Sequence, residues 1–370
     1  MPSDLFYISE ENLRRFAAEV FVCAGMRRAD AEVSADVLVA ADLRGIESHG
    51  VSRLRMYYDG LKSGRHNPQT KFEIVSEKDA AVVVDAHGSM GHPVGVRAMQ
   101  LAVEKARRYG TGTVAVRNSS HFGIAGYYTL LAVQAGMIGL SLTNARPSVA
   151  PTFGVRPMLG TNPIAFGVPT DEECPFLFDA ATSIIQRGKI EVMAREGKPM
   201  PPGWVISREG ELLTDARRAD AGFAAGENAL LPLGGAGELM GGHKGFGLSV
   251  MVELLCTALQ DNAYMGHLPP GKGLPAQVGH FFMAIDIEHF IPLERFKAIS
   301  GSIVRELRAA EKAPGQNRIY TAGEKEFELE RRYRQTGIPI SSNLLNELKA
   351  LQVEAGLGED WLVYQTGEVL

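Results

Sequence analysis

Near Phe72 the periodicity of the chain switches, and that switch limits the folds open to it. Ala80-Ala81-Val82-Val83-Val84-Asp85 and Thr113-Val114-Ala115-Val116 are short β-branched runs, separated by a helical segment from Val94 to Arg108. The implied order is strand, helix, strand. Further strands are expected at Ile138 to Thr143, Ile164 to Val168, Phe176 to Asp179 and His280 to Ile287, with helices at 124–135, 245–260 and 293–312. Together these describe a mixed α/β body.

The residues before the switch read as helical throughout. Leu13, Phe16, Ala17, Val20 and Ala24 recur at helical spacing behind Ser9, a suitable N-cap, which predicts a helix over 10–25. A second helix is capped by Asp30, buries Val33, Val37, Leu38 and Ala41, and stops at Arg44-Gly45; a third spans 51–62. Helical patterning returns from Lys325, where Ser341-Ser342 opens a segment carrying Leu344, Leu345, Leu348 and Leu351. The expected division is therefore a helical lobe, 1–70 with 325–370 packing back onto it, and an α/β domain, 71–324. No internal repeat interrupts this organisation, and 197–203 and 266–275 are short Gly/Pro-rich loops.

At 370 residues the chain is long enough for a large core, and a prior of roughly 150 residues per domain suggests two or three lobes. The net charge of −5 comes from 38 basic and 43 acidic residues that are interspersed, which leaves no positive stripe for a nucleic-acid backbone. The apolar stretches, such as 136–142 and 246–258, fall short of the ~18 residues that cross a bilayer. Met1 to Glu11 carries Asp4, Glu10 and Glu11 and does not resemble a secretory signal. Cys23, Cys174 and Cys256 form no Cys-x-x-Cys pair and are read as buried small apolar residues in a reducing compartment. The cytoplasm is the expected location.

Two motifs mislead. Gly266-His267-Leu268-Pro269-Pro270-Gly271-Lys272-Gly273 nearly matches a phosphate-binding loop, but Gly273 replaces the hydroxyl residue and Pro275 follows where a helix should start. The nine histidines show no metal-ligand spacing, so no metal site is expected, and His66 and His289 read as exposed. No Gly-x-Gly-x-x-Gly lies between a strand and a helix, so a nicotinamide cofactor, if one binds, is held differently from the Rossmann way.

Four segments carry chemistry. In Glu47-Ser48-His49-Gly50-Val51-Ser52-Arg53, His49 and Arg53 are four apart, so a helix starting at Gly50 projects both to one side. An imidazole that exchanges a hydroxyl proton beside a guanidinium that clamps a carboxylate suits a 2-hydroxy acid dehydrogenase. The competing reading is a helix cap and a surface ion pair. Ser120-His121-Phe122-Gly123 follows a strand end, where His121 is either a turn residue or part of a binding edge. In Leu177-Phe178-Asp179-Ala180-Ala181-Thr182-Ser183, Asp179 suits the orientation of an imidazole, and Thr182, Ser183 and nearby amides suit cofactor hydroxyls or phosphate; an Asp/Ser/Thr turn is the alternative. Finally, Gly241-Gly242-His243-Lys244-Gly245 leads from a glycine-rich loop into an apolar helix, an arrangement that suits an anionic ligand. A hydrolase built on Ser48 and His49 is disfavoured, because adjacent residues seldom face each other and no Gly-x-Ser-x-Gly elbow is present.

In this order the segments resemble the type 2 malate/L-lactate dehydrogenase family, which includes sulfolactate and ureidoglycolate dehydrogenases, diketogulonate oxidoreductases and piperideine-carboxylate reductases. The most specific parts are Glu47-Ser48-His49-Gly50, Ser120-His121-Phe122-Gly123, Leu159-Gly160-Thr161-Asn162-Pro163 and His243-Lys244-Gly245. The resemblance implies a non-Rossmann, mixed-sheet NAD(P)-binding fold and a homodimer with its active site at the subunit interface. It makes His49 the proton donor or acceptor, supported by Asp179, with Ser48, Arg53 and His121 lining the substrate. It places NAD, or alternatively NADP, against Leu177, Phe178, Asp179, Ala180, Ala181, Thr182, Ser183, His243, Lys244, Gly323, Glu324 and Lys325, with Thr161 and Asn162 nearby. The implied substrate is a small L-2-hydroxy acid of the malate, lactate or sulfolactate type; a cyclic imine 2-carboxylate or diketogulonate is the alternative. One departure concerns specificity. Malate- and lactate-type members usually carry small polar residues after Thr143-Asn144, whereas this chain has Ala145-Arg146-Pro147, and Arg146 either favours a second anionic group or faces water.

Overall fold

The computed structural model describes residues 5–269 and 274–366. The phosphate-loop near-match at 266–273 and the N-terminal stretch 1–11 lie partly outside the described residues.

The chain opens with β1 (Leu5–Ile8), α1 (Glu10–Cys23) and α2 (Arg28–Leu43). Ser9 caps α1 by accepting the Asn12 N–H at 3.3 Å, as the sequence suggests. Asp30 does not cap α2. The helix begins two residues earlier, and the Asp30 carboxylate sits buried in the first turn, paired with Arg97 at 2.7 Å. There it meets both the helix dipole and a cation. The expected third helix is also shorter than the pattern implied: Glu47–His49 and Val51–Arg53 are separate 3₁₀ turns, and only α3 (Leu54–Lys62) is α-helical.

The body follows as β2 (Glu73–Lys78), β3 (Ala81–Asp85), α4 (Gly91–Tyr109), β4 (Thr111–Ser119), α5 (Ala125–Gln134), β5 (Met137–Thr143), β6 (Ile164–Val168) and β7 (Phe176–Ala180). A small unit is then inserted: α6 (Arg187–Glu196), β8 (Val205–Ser207), β9 (Leu212–Leu213), α7 (Ala216–Ala225) and β10 (Asn228–Leu230). The chain returns through α8 (Gly242–Thr257), β11 (Val278–Asp286) and α9 (Leu293–Ala309).

These strands form a seven-stranded sheet in the order β2-β3-β4-β11-β5-β6-β7. β3 and β4 run parallel because α4 crosses between them, and the other neighbouring pairs are antiparallel. β11 shows how the sheet divides its two faces: Phe282 and Ala284 join the core beneath α4 and α5, while Phe281 joins Val252 and Cys256 of α8 on the opposite face. The inserted unit has its own apolar cluster around Ile190, Val205, Leu213 and Leu230.

The C-terminal segment comprises α10 (Glu324–Thr336), β12 (Ile338–Ser341), α11 (Ser342–Glu354) and β13 (Gln365–Thr366). β12 and β13 flank β1, and Ile338, Ile340, Leu345, Leu348 and Leu351 share one core with Leu13, Phe16, Val20, Leu38 and Tyr57. Each such buried side chain contributes roughly 1.5–3 kcal/mol relative to exposure.

Three sequence expectations about single residues are corrected here. His66 is buried rather than exposed, because Gly60 leaves room for its ring against α3. Cys256 is buried, but Cys23 and Cys174 are partly exposed; all three thiols are free. No helix among the described residues is long and apolar enough to cross a membrane.

Candidate active site

The two 3₁₀ turns that hold His49 are fixed from beneath by Asp42. This side chain, 3% exposed near the end of α2, accepts the Val51 N–H at 2.8 Å. Gly50 lies directly over the carboxylate, and a Cβ there would overlap it. Burial raises the Asp42 pKa to about 8, countered in part by the Val51 N–H, so the group is held largely as the neutral acid at pH 7. From this support the turns place Ser48, His49 and Arg53 along one wall of a cleft of about 260 Å³.

The Arg53 Nε donates to the Ser48 carbonyl at 2.7 Å, which orients its guanidinium; it carries no salt bridge among the described residues. Ser48 Oγ lies 2.9 Å from His49 Nδ1 and donates to Gln186 Oε1 at 3.4 Å. Adjacent residues do face each other here, contrary to the sequence expectation. A hydroxyl hydrogen directed at Gln186 leaves Ser48 Oγ to accept from Nδ1 of His49, the form in which Nε2 keeps its lone pair. Burial and then the Arg53 charge lower the His49 pKa to about 4, so the ring is neutral near pH 7. His121 stacks on it, with centroids 5.4 Å apart and planes 25° off parallel.

Across the cleft lie Thr161 ahead of β6, Asp179, Ala180 and Ala181 at the end of β7, and Gln186 and Arg187 at the start of α6. Asp179 does not hydrogen-bond His49. Its Oδ2 accepts the Gly126 N–H at 2.7 Å, and His49 has Ser48 as its partner instead. Burial, with the Gly126 N–H and Arg44 opposing it, raises the Asp179 pKa to about 6.

A second cavity of about 250 Å³ adjoins the first through Ile46, Ile124 and Asp179, and is lined further by Leu177, Phe178, Tyr320, Gly323, Lys325 and Glu326. Together the two spaces form one trough with an apolar wall, the carboxyl groups of Asp179 and Glu326, and Lys325, whose ammonium lies 4.7 Å from the Tyr320 ring centroid and has no salt bridge among the described residues. A dinucleotide fits that set: flat apolar surfaces for its rings, acceptors for ribose hydroxyls, cations for phosphate.

Several residues expected at the cofactor are committed elsewhere. The Asn162 side chain is fully buried and bonds Ala145 N, Ser249 O and Glu253. Thr182 Oγ1 donates to the Thr161 and Asn162 carbonyls, and Ser183 Oγ donates to Ile185 O. Glu324 pairs with Arg308 and Arg318, away from the trough. His243 and Lys244 are exposed at the start of α8 and line a separate shallow groove with Leu239 and Met240. Arg146 is exposed, donates to Pro269 O at 3.1 Å, and does not line the cleft. In the other direction, Gln186, Arg187, Tyr320 and Glu326 escaped sequence reading, since no periodicity or motif marks them. No group of three or more His, Cys, Asp or Glu suited to a metal ion occurs among the described residues.

Comparison with known proteins gives this geometry its setting. The family model described as malate/L-lactate dehydrogenase matches residues 8–349. The chain belongs to that family. A malate dehydrogenase from Pyrococcus horikoshii is 45% identical over 350 residues, covering 95% of this chain and 96% of the relative. An L-sulfolactate dehydrogenase from Methanocaldococcus jannaschii is 37% identical, over 96% of this chain and 99% of its own length. The crystal structure of malate dehydrogenase from Entamoeba histolytica superposes with a TM-score of 0.91 at 42% identity, covering 95% of this chain and 98% of the other. The mixed α/β, non-Rossmann fold expected from the resemblance is therefore the one observed.

Proposed function

We propose that this enzyme interconverts a small L-2-hydroxy acid and its 2-oxo acid with a nicotinamide cofactor, and that malate or sulfolactate represents its substrate class. The observation that carries the reading is the imidazole of His49, hydrogen-bonded through Nδ1 to Ser48, in one cleft with the Arg53 guanidinium, which carries no salt bridge among the described residues. Malate and sulfolactate dehydrogenases among the relatives support the substrate class.

In the oxidation direction Arg53 binds the substrate carboxylate, and His49 Nε2 accepts the hydroxyl proton. When bound, the nicotinamide supplies the hydride chemistry at the same carbon. In reduction the proton travels back from His49, whose pKa rises once the substrate carboxylate offsets the charge of Arg53. Asp179, anchored to the Gly126 N–H, shapes the floor where the two cavities meet and acts on His49 through space only. Fixed positions of this kind supply much of the rate.

NAD is the cofactor we assign. Leu177, Phe178, Ala180 and Ala181 offer the wall, Lys325 a cation, and Glu326 and Asp179 acceptors for ribose hydroxyls that would oppose an added 2′-phosphate. We further assign a homodimer in the cytoplasm. Leu248, Met251, Leu254, Leu239 and Met240 leave an apolar face on and before α8 uncovered within the chain, and three free thiols suit a reducing compartment. His243 and Lys244 lie on that face and reach a cofactor only across such an interface. The helical lobe, 1–70 with 325–370, and the α/β domain, 71–324, form the two walls between which the trough runs.

The test is turnover of NADH and NADPH against oxaloacetate, sulfopyruvate, pyruvate, 2,3-diketogulonate and piperideine-2-carboxylate. Preferred use of oxaloacetate or sulfopyruvate with NADH is expected. Turnover of the cyclic imine alone would replace this reading with an imine reductase.

A further inference from the structure

His49 has a companion ring whose protonation is settled by its surroundings. His121 Nδ1 lies 2.6 Å from the Tyr57 hydroxyl and also receives the Gly123 N–H at 3.3 Å. A backbone amide only donates, so a hydrogen on Nδ1 would face it head-on. The phenol points the same way. Tyr57 is fully buried, and His121 is the one partner its hydroxyl has among the described residues. Were the phenol oxygen to accept from Nδ1, its own hydrogen would be left buried and unpaired.

We infer that Tyr57 is a positioning residue that locks His121 in the Nε2–H form, making it a fixed hydrogen-bond donor beside the proton-exchanging His49. The two stacked rings then carry opposite forms. His49 presents an Nε2 lone pair, held so by Ser48 and Gln186, and His121 presents an Nε2–H, held so by Tyr57 and Gly123. Nε2 of His121 has no protein partner among the described residues and, unlike both nitrogens of the fully buried His92, is not sealed from solvent.

The division of labour follows from the stacking. Two imidazolium rings 5.4 Å apart in a partly dry site repel, so only one of the pair carries a proton charge at a time. Burial and the neighbouring His49, His92 and Arg53 hold the His121 pKa well below its ordinary value, which keeps it the neutral member. Tyr57 is itself wedged by His92, whose ring meets it edge-on at 4.7 Å, so the hydroxyl cannot swing away. The sequence distance between Tyr57 and His121 hides this link: one lies on α3, the other just beyond β4.

This inference rests on the dehydrogenase reading for its functional meaning, but its first test does not need turnover. In ¹⁵N-histidine-labelled full-length protein at neutral pH, the ring signals of His121, assigned by their loss in His121→Gln, should show a protonated Nε2 and a bare Nδ1. Tyr57→Phe should shift those signals toward a mixture of the two forms. It should also lower kcat for the 2-oxo acid about tenfold, in line with one lost hydrogen bond, while KM for NADH stays unchanged. His121→Gln keeps a donor and should retain more activity than His121→Phe. A protonated Nδ1 in the unaltered protein, or signals untouched by Tyr57→Phe, would overturn the inference. Absence of turnover with every acid, alongside the expected signals, would count against the dehydrogenase reading and leave the Tyr57–His121 lock standing.

Discussion

Gly50→Ala isolates the support beneath the catalytic turn. Gly50 has φ −87°, an angle any residue adopts, so the demand for glycine here is one of space alone. An added methyl would overlap the Asp42 carboxyl, which is buried and holds the Val51 N–H. Two costs follow. Displacing a packed group costs about 1–3 kcal/mol, and leaving the Val51 N–H unpaired costs about 1–3 kcal/mol more, so about 2–6 kcal/mol of stability should be lost. In an Asp42→Ala background the space already exists and the N–H is already unpaired, so the same substitution should cost under about 1 kcal/mol. Urea unfolding of the two single variants and the double variant measures this coupling. Because His49 immediately precedes Gly50, kcat should fall in step with the single substitution. Equal costs in both backgrounds, or no cost at all, would refute the argument that Asp42 shapes the turn.

Arg53→Gln should lower kcat/KM for the acid by roughly 10–100-fold through loss of a charge-assisted clamp, seen mainly in KM for the acid rather than for NADH. The same variant should move the acidic limb of hydroxy-acid oxidation to higher pH than its position near 4 in the parent, since the Arg53 charge depresses His49; steady-state pH profiles check the shift. Glu326→Gln removes a carboxylate from the second cavity and should improve use of NADPH relative to NADH several-fold, by about 1 kcal/mol, in competition assays. Acid should destabilise the fold. His49 and His66 are held at about 4, and His92 and His280 at about 3, all by burial first, so their contribution is complete above about pH 6.5 and is lost as pH falls toward those values. Asp42 and Asp179, raised to about 8 and about 6, work in the opposite direction over the same window. With His121, which burial also holds well below its ordinary value, five imidazoles against two carboxyls leave a net loss on the order of 4 kcal/mol per pH unit below about pH 6, and a flat urea midpoint from pH 6 to 4.5 would contradict it.

Much of the fold is legible because its larger elements are long and patterned: α1 and α4 bury recognisable stripes, α8 is a long apolar run, and β3, β4 and β11 alternate or run β-branched. The inserted unit is not, because β8, β9 and β10 hold only three, two and three residues, too few for a period of two to register. The start of α2 is misread for a related reason. Asp30 has the chemistry of a cap, but a long-range partner, Arg97, decides its place. At the site, Ser48, His49 and Arg53 are local in sequence and meet in space. Asn162, Thr182 and Ser183 look equally functional as letters, yet their polar atoms are consumed by backbone groups that only the folded chain brings near. The same blindness applies to Gln186 and Tyr57, whose importance lies in single hydrogen bonds across more than sixty residues of chain.

The most direct test of the account follows the hydride and the proton separately. NADH deuterated at C4 is supplied with oxaloacetate or sulfopyruvate, and the product is examined by mass spectrometry, for the parent and for His49→Asn. The account predicts deuterium at C2 of the hydroxy acid in the parent, with transfer falling by at least a hundredfold in His49→Asn while NADH binding is retained. Undiminished transfer in His49→Asn would remove His49 from the proton's path and with it the mechanism proposed here.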